Sequence, residues 1–156
     1  MAYWLMKSEP GVFGVADLAK RPRRTEHWDG VRNYQARNFL QAMRKGDLAF
    51  FYHSSCAAPG VYGVVRIVRA AYPDPSAFDP RSTYYDPKST QDNPRWFMVD
   101  VRLERLLQRP VLLPEIKRVA ALRHMHLVQP GSRLSVMPVS AIEWKTILKL
   151  AGEKAP

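Results

Sequence analysis

Leu48-Ala49-Phe50-Phe51-Tyr52-His53, then Ser54-Ser55-Cys56-Ala57-Ala58-Pro59-Gly60, then Val61-Tyr62-Gly63-Val64-Val65-Arg66-Ile67-Val68-Arg69-Ala70-Ala71-Tyr72 is the stretch that decides the fold. The outer runs are rich in aromatic and β-branched residues, and the middle run is small, polar and turn-forming. Two antiparallel strands joined by a loop are therefore expected. Upstream, Ala36, Phe39, Leu40 and Met43 recur at spacings of three and four between Tyr34 and Arg44, which predicts a helix that Gly46 ends. Further back, Tyr3-Trp4-Leu5-Met6-Lys7-Ser8 is too short for a helix and is stopped by Pro10, so it reads as a buried strand. Residues 14–20 have room only for a short helix before Pro22.

Downstream, Pro73 to Pro94 lacks apolar periodicity and predicts a long loop, a length at which loops are often functional. Trp96 to Leu106 alternates as a half-buried strand does. Pro110 and Pro114 bracket a turn into a short helix over 115–123, and a last strand is expected over Ser132–Met137. Ser140 with Glu143 forms a capping-box signature for a helix reaching about Leu150. Five or six strands with helices inserted, and no strict βαβ alternation, predict one α+β domain over residues 1–156. Its expected architecture is a small mixed β-barrel with flanking short helices, closed so that no strand edge is exposed.

Composition narrows the function. With 46% hydrophobic and 24% charged residues among 156, the chain is neither collagen-like, coiled-coil nor wholly disordered. No apolar run is long enough to cross a bilayer and the N-terminus lacks a signal-peptide pattern, so no membrane partner and a cytoplasmic or nuclear location are expected. A single cysteine, Cys56, excludes an intrachain disulfide, and no Cys cluster or HExxH predicts a metal. GxxxxGK[ST] and GxGxxG are both missing, so no nucleotide cofactor is expected. The 24 Lys and Arg against 14 Asp and Glu leave a formal charge of +10, and 16 of those cations are Arg, whose planar fork fits phosphate. A polyanion is the expected partner.

Three segments concentrate groups that could carry function. Trp28-Asp29-Gly30-Val31-Arg32-Asn33-Tyr34 offers a large π-face, hydrogen-bond edges and a cation just before a helix. Phe50 to Ser55 and Lys7-Ser8 end strands in hydroxyls, an imidazole and an amine, and strand ends are rigid platforms for recognition. Ser82-Thr83-Tyr84-Tyr85-Asp86-Pro87-Lys88-Ser89, with Arg81 and Arg95-Trp96, interleaves aromatics with cations as an extruded or single-stranded base requires. Each has a plainer alternative, with Trp28 a core anchor, Asn33 a helix cap, His53 a satisfied interior histidine and the tyrosines packed flat on the barrel. A Cys56–His53 nucleophile lacks an orienting third group and an oxyanion site.

The chain closely resembles the EVE domain family. The resemblance rests on Tyr3 to Pro10, Trp28 to Leu40, Phe51-Tyr52-His53-Ser54, Tyr84 to Ser89, Pro94-Arg95-Trp96 and Arg133-Leu134-Ser135-Val136. It implies a PUA-like fold, similar to the YTH domains that capture methyladenine in RNA. The implied activity is non-catalytic binding of DNA or RNA carrying a modified base, notably methylated or hydroxymethylated cytosine, flipped out of the stack. On that resemblance Trp28 matches the cage aromatic, Asn33 the polar reader, Lys7 and Ser8 the first-strand end, and His53 and Ser54 the pocket wall. Tyr34 and Tyr85 complete the expected base contacts, and Arg32, Arg37, Lys88 and Arg95 the phosphate contacts. Gly14, standing where many members carry a polar cap, implies a weaker first helix. Two other classes stay open: an enzyme acting on RNA or a nucleotide with His53 as general base, and a module that binds a peptide or small molecule. A nucleic-acid binder is expected at the nucleoid of a bacterium or in a eukaryotic nucleus.

Overall fold

The computed structural model describes residues 1–153. Six strands form one mixed sheet: β1 (Tyr3–Ser8), β2 (Thr25–Trp28), β3 (Leu48–His53), β4 (Gly60–Pro73), β5 (Phe97–Leu112) and β6 (Val136–Val139), in the order β2-β5-β4-β3-β1-β6. Five short helices accompany them: α1 (Pro10–Phe13), α2 (Val15–Ala19), α3 (Tyr34–Ala42), α4 (Leu113–Arg118) and α5 (Ala141–Leu150). The antiparallel pairing of β3 with β4 follows the sequence expectation, while β1 lies parallel to β3. No helix among the described residues is long and apolar enough to cross a membrane.

The centre of the sheet is β3, whose six residues are all buried. Because successive side chains point to opposite faces, its two phenylalanines serve two different layers. Phe50 stacks on Trp144 of α5 with ring centroids 3.9 Å apart, and Phe51 meets the edge of Trp28 at 5.2 Å and packs near Phe13 at 6.3 Å. One face is thus sealed by α5, whose capping box forms as its sequence predicts: Glu143 N–H donates to Ser140 Oγ, and Ser140 N–H to Glu143 Oε1. The other face, on the Phe51 side, carries the groups considered below.

Closure of the barrel by strand pairing is not realised. β2 and β6 stand at the two edges of the sheet, each only four residues long. Four register irregularities between β4 and β5, and one in β3 between Phe51 and Tyr52, increase the bend and twist of the sheet. The chain leaving β2 enters α3 instead of a further strand, because Asn33 Oδ1 accepts the Ala36 N–H and starts a helix there. That helix packs against β4, β5 and β6 together, so it occupies the gap a closing ladder would have filled.

Other departures from expectation are local. β2 arises from Thr-Glu-His-Trp, too short and polar for an alternation to be visible. β5 runs six residues beyond Leu106, since Val111 and Leu112 pair with Val61 and Gly60. The last strand starts at Val136, four residues later than its pattern suggests, and holds Pro138 where an edge strand tolerates it. Gly14 separates α1 from α2, and its N–H donates to Asp17 Oδ2 at 2.7 Å, so a side chain three residues on supplies the missing cap contact.

Candidate nucleic-acid interface

A cleft of about 610 Å³ opens on the Phe51 side, within the roughly 300–1,000 Å³ usual for ligand sites. Three strand ends converge on it: Lys7 and Ser8 from β1, Ser54 and Ser55 after β3, and His27 and Trp28 from β2. The loop Asp29-Gly30-Val31, Phe13, Arg21 and Tyr84 continue the wall, and Arg133 and Ser135 reach it from the segment before β6. Backbone pairing explains the convergence. Ser54 N–H donates to Ser8 O at 3.0 Å and Lys7 N–H to Ser135 O at 2.8 Å, so the end of β1, the end of β3 and the segment before β6 extend side by side, while β2 reaches the cleft from its pairing with β5.

Trp28 combines the two roles weighed in the sequence. It is only 6% exposed, packed on Phe51, and it also lines the cleft. Among the described residues no hydrogen bond engages its indole N–H, whereas Trp4 and Trp96 donate theirs to Asp47 and Asp86. Ser8 donates its hydroxyl to Phe13 O at 2.6 Å, which leaves its oxygen lone pairs for a ligand. Ser55 holds a left-handed backbone, φ 53, uncommon for a residue with a side chain and frequent at functional sites. Burial pushes the Lys7 ammonium below its ordinary pKa, and no carboxylate pairs with Lys7 or Arg133 among the described residues.

The loop after Trp28 is fixed from behind. Asp74, fully buried, accepts from Gly30 N–H at 2.9 Å, from Ser76 Oγ and N–H, and from Arg32 Nη1 at 3.2 Å. Burial alone would raise its carboxyl, but the Ser76 and Gly30 hydrogen bonds and the Arg32 charge hold it below the usual carboxylate range. Arg32 also donates to the Tyr84 carbonyl from Nε at 3.0 Å and Nη2 at 2.8 Å. The Tyr84 ring therefore lies over Gly30 so closely that a Cβ there would sit 2.6 Å from a ring carbon. Only glycine, at φ 80, allows both this turn and this contact.

The residues singled out in the sequence thus divide. Lys7, Ser8, Trp28 and Ser54 come together in the cleft. Asn33 caps α3, and His53, buried, accepts the Val15 N–H at Nε2 (3.1 Å) while stacking on Tyr62, so it ties α2 to the end of β3. Burial lowers the His53 pKa. Tyr34 stacks on Trp96 at 4.9 Å with the Arg37 guanidinium 4.8 Å from its ring, and Arg37 donates to the Arg95 carbonyl. Arg95 reaches the Tyr34 hydroxyl at 3.5 Å, and Tyr85 is exposed. Tyr34, Trp96, Arg37 and Arg95 thus form an aromatic and cationic cluster outside the cleft lining, and Tyr85 and the exposed Lys88 lie outside that lining too. Phe13, Arg21, Arg133 and Ser135 were not singled out individually. Their signal was positional, since Arg133 and Ser135 directly precede the final strand.

A curled α+β sheet of the PUA-like type, with a polar and aromatic cleft where three strand ends meet, defines the class. The chain belongs to the EVE domain family, which matches residues 2–150. It is 45% identical to human thymocyte nuclear protein 1 across 99% of this chain and 76% of that protein. A crystal structure from Pseudomonas putida is 53% identical with a TM-score of 0.93, covering 96% of this chain and 99% of the other. The human THYN1 protein in complex with 5-methylcytosine-containing DNA is 44% identical with a TM-score of 0.93, and each chain is covered completely. A YTH domain from Zygosaccharomyces rouxii, at 14% identity and a TM-score of 0.51, shares the fold.

Proposed function

We propose that the chain is a non-catalytic module that binds DNA or RNA carrying a modified base, methylated or hydroxymethylated, and receives that base in the cleft beside Trp28. The observation that carries this reading is the cleft itself, lined by an indole, strand-end hydroxyls and two cations that have no carboxylate partner among the described residues. The full-length likeness to a human protein crystallised with 5-methylcytosine-containing DNA supports the same partner class. A base reaches such a cleft only by leaving the stack, which costs a few kcal/mol. Contacts to Trp28 and Tyr84, with edge contacts to Ser8 and Ser54, recover that cost.

Lys7 and Arg133 then meet the phosphates nearest the flipped base, while Arg37, Lys88 and Arg95 carry the flanking strand past Tyr34 and Tyr85. Arg32 serves this site by holding the Tyr84 loop, Asn33 by starting α3 and His53 by anchoring α2. The reading places the molecule wherever nucleic acid lies, at the nucleoid or in the nucleus. An enzyme using His53 as general base is less well supported, because the Nε2 lone pair is taken by Val15 N–H.

The test is titration of oligonucleotides identical except for one base, cytosine or 5-methylcytosine, with the parent and with Trp28→Ala. The variant is expected to lose about 1–3 kcal/mol in binding the modified strand. Because removing so buried a ring also costs about 3–5 kcal/mol of stability, Trp28→Phe is measured beside it with thermal unfolding as a control. Folded variants that bind as tightly as the parent would overturn the reading.

A further inference from the structure

Three carboxylates line the cleft, and they are not equivalent. Glu26 is occupied: Oε2 accepts from Arg21 Nε at 2.7 Å, and Oε1 from the His27 backbone N–H at 3.0 Å. Glu9 is exposed, immediately before Pro10. Asp29 is half-buried and adjoins Trp28. Apart from its own backbone N–H, it accepts no hydrogen bond among the described residues, and the His27 Nε2 atom lies 3.8 Å from its Oδ2, beyond hydrogen-bond reach. A partly desolvated carboxylate with free lone pairs is costly until a donor reaches it. Asp74, lying behind the same loop, adds negative potential that makes a second acceptor at this place less welcome still.

We infer that Asp29 sets the class of base the cleft admits: one that presents an exocyclic amino group to it, as cytosine does, over one that presents a carbonyl oxygen there, as thymine does. The inference rests on the base-binding reading of the cleft. An acidic side chain is the partner that accepts from the cytosine amino group, and a site built around one hydrogen bond rejects the analogue that cannot make it. The Asp29 carboxylate accepts from an amino group and repels a carbonyl oxygen placed at the same point. That acceptor-only pattern fits the amino group of cytosine and disfavours the O4 carbonyl of thymine.

Thymine and 5-methylcytosine carry the same ring methyl and differ along this edge, so they isolate the effect. Single-stranded oligonucleotides with 5-methylcytosine, thymine or an abasic position at one site are titrated against the parent, Asp29→Asn and Asp29→Ser. The parent is expected to favour 5-methylcytosine over thymine by about tenfold or more. In Asp29→Asn, whose carboxamide both donates and accepts, that ratio should fall to about one or invert, with affinity for the abasic strand unchanged. Asp29→Ser should lose the preference without gaining affinity for thymine. If the parent favours 5-methylcytosine and both variants keep the same ratio, the inference about Asp29 is wrong while the base-binding reading stands. A parent that binds all three strands alike would remove both.

Discussion

Two arginine–carboxylate pairs, one behind the cleft and one on the outer side of β5, differ in what surrounds them. Arg109 and Glu115 meet at 2.9 Å with both side chains in contact with water, whereas Arg32 and Asp74 meet at 3.2 Å with the carboxylate fully enclosed. The longer pair carries more weight. Exposed pairs contribute about 0–1 kcal/mol, but removing one partner of a buried pair strands a charge that protein alone must stabilise. Arg66, Arg102, Arg105 and Arg109 on β4 and β5 all face carboxylates, while Lys7 and Arg133 at the cleft face none among the described residues. The charge of +10 carries little information as a sum. Its distribution says more: the arginines of β4 and β5 named here are neutralised by neighbouring carboxylates, whereas Lys7 and Arg133 add uncompensated positive potential beside the cleft.

The sharpest way to break this contrast is Asp74→Ala. Loss of the buried carboxylate should destabilise the fold by about 3 kcal/mol in denaturant unfolding, against at most about 1 kcal/mol for Arg109→Ala. Equal costs would show that enclosure does not separate the two pairs. Next in size is the electrostatic share of binding. Lys7→Ala with Arg133→Ala should flatten the slope of log K against log salt by about 0.7–0.9 per lost phosphate contact, and Arg109→Ala should leave the slope alone. A slope insensitive to all three would assign the phosphates to another surface.

The smallest effect is a titration. Burial holds the His53 pKa below that of the unfolded chain, so below pH of about 6.5 the unfolded state takes up the proton first. Stability from this residue is present above that pH and declines as pH falls toward the folded value. Between pH 7.5 and 5.5 the parent should therefore lose thermal stability, and His53→Gln should lose less. A parent and variant with parallel pH profiles would count against the buried, neutral imidazole.

Much of the fold was legible because β3, β4 and α3 carry clear periodicities and α5 starts on a capping box. β2 was not, since four residues with Glu26 and His27 at their centre show no alternation, and pairing with β5 alone makes them a strand. The open sheet was hidden for a similar reason: α3 was visible as a helix, but not as the element standing between β4 and β6. At the site, Lys7, Ser8 and Ser54 were readable as strand ends, and Trp28 as an aromatic ring in the segment just before a helix. Asn33 and His53 drew the same attention from their chemistry, yet their hydrogen bonds go to Ala36 and Val15. Asp74 stood unmarked in a proline-flanked loop, because no local pattern reveals a carboxylate that gathers partners forty residues distant.

The placement of the four tryptophans has a practical consequence. Trp4, Trp96 and Trp144 are held by Asp47, Asp86 and the Phe50 ring respectively, away from the cleft lining, and only Trp28 adjoins it. The molecule thus contains its own optical probe. Any quenching of ultraviolet emission by an unlabelled oligonucleotide can be divided by replacing that one indole: the part that disappears reports the cleft, and the part that stays reports the other three rings, Trp96 beneath Tyr34 among them.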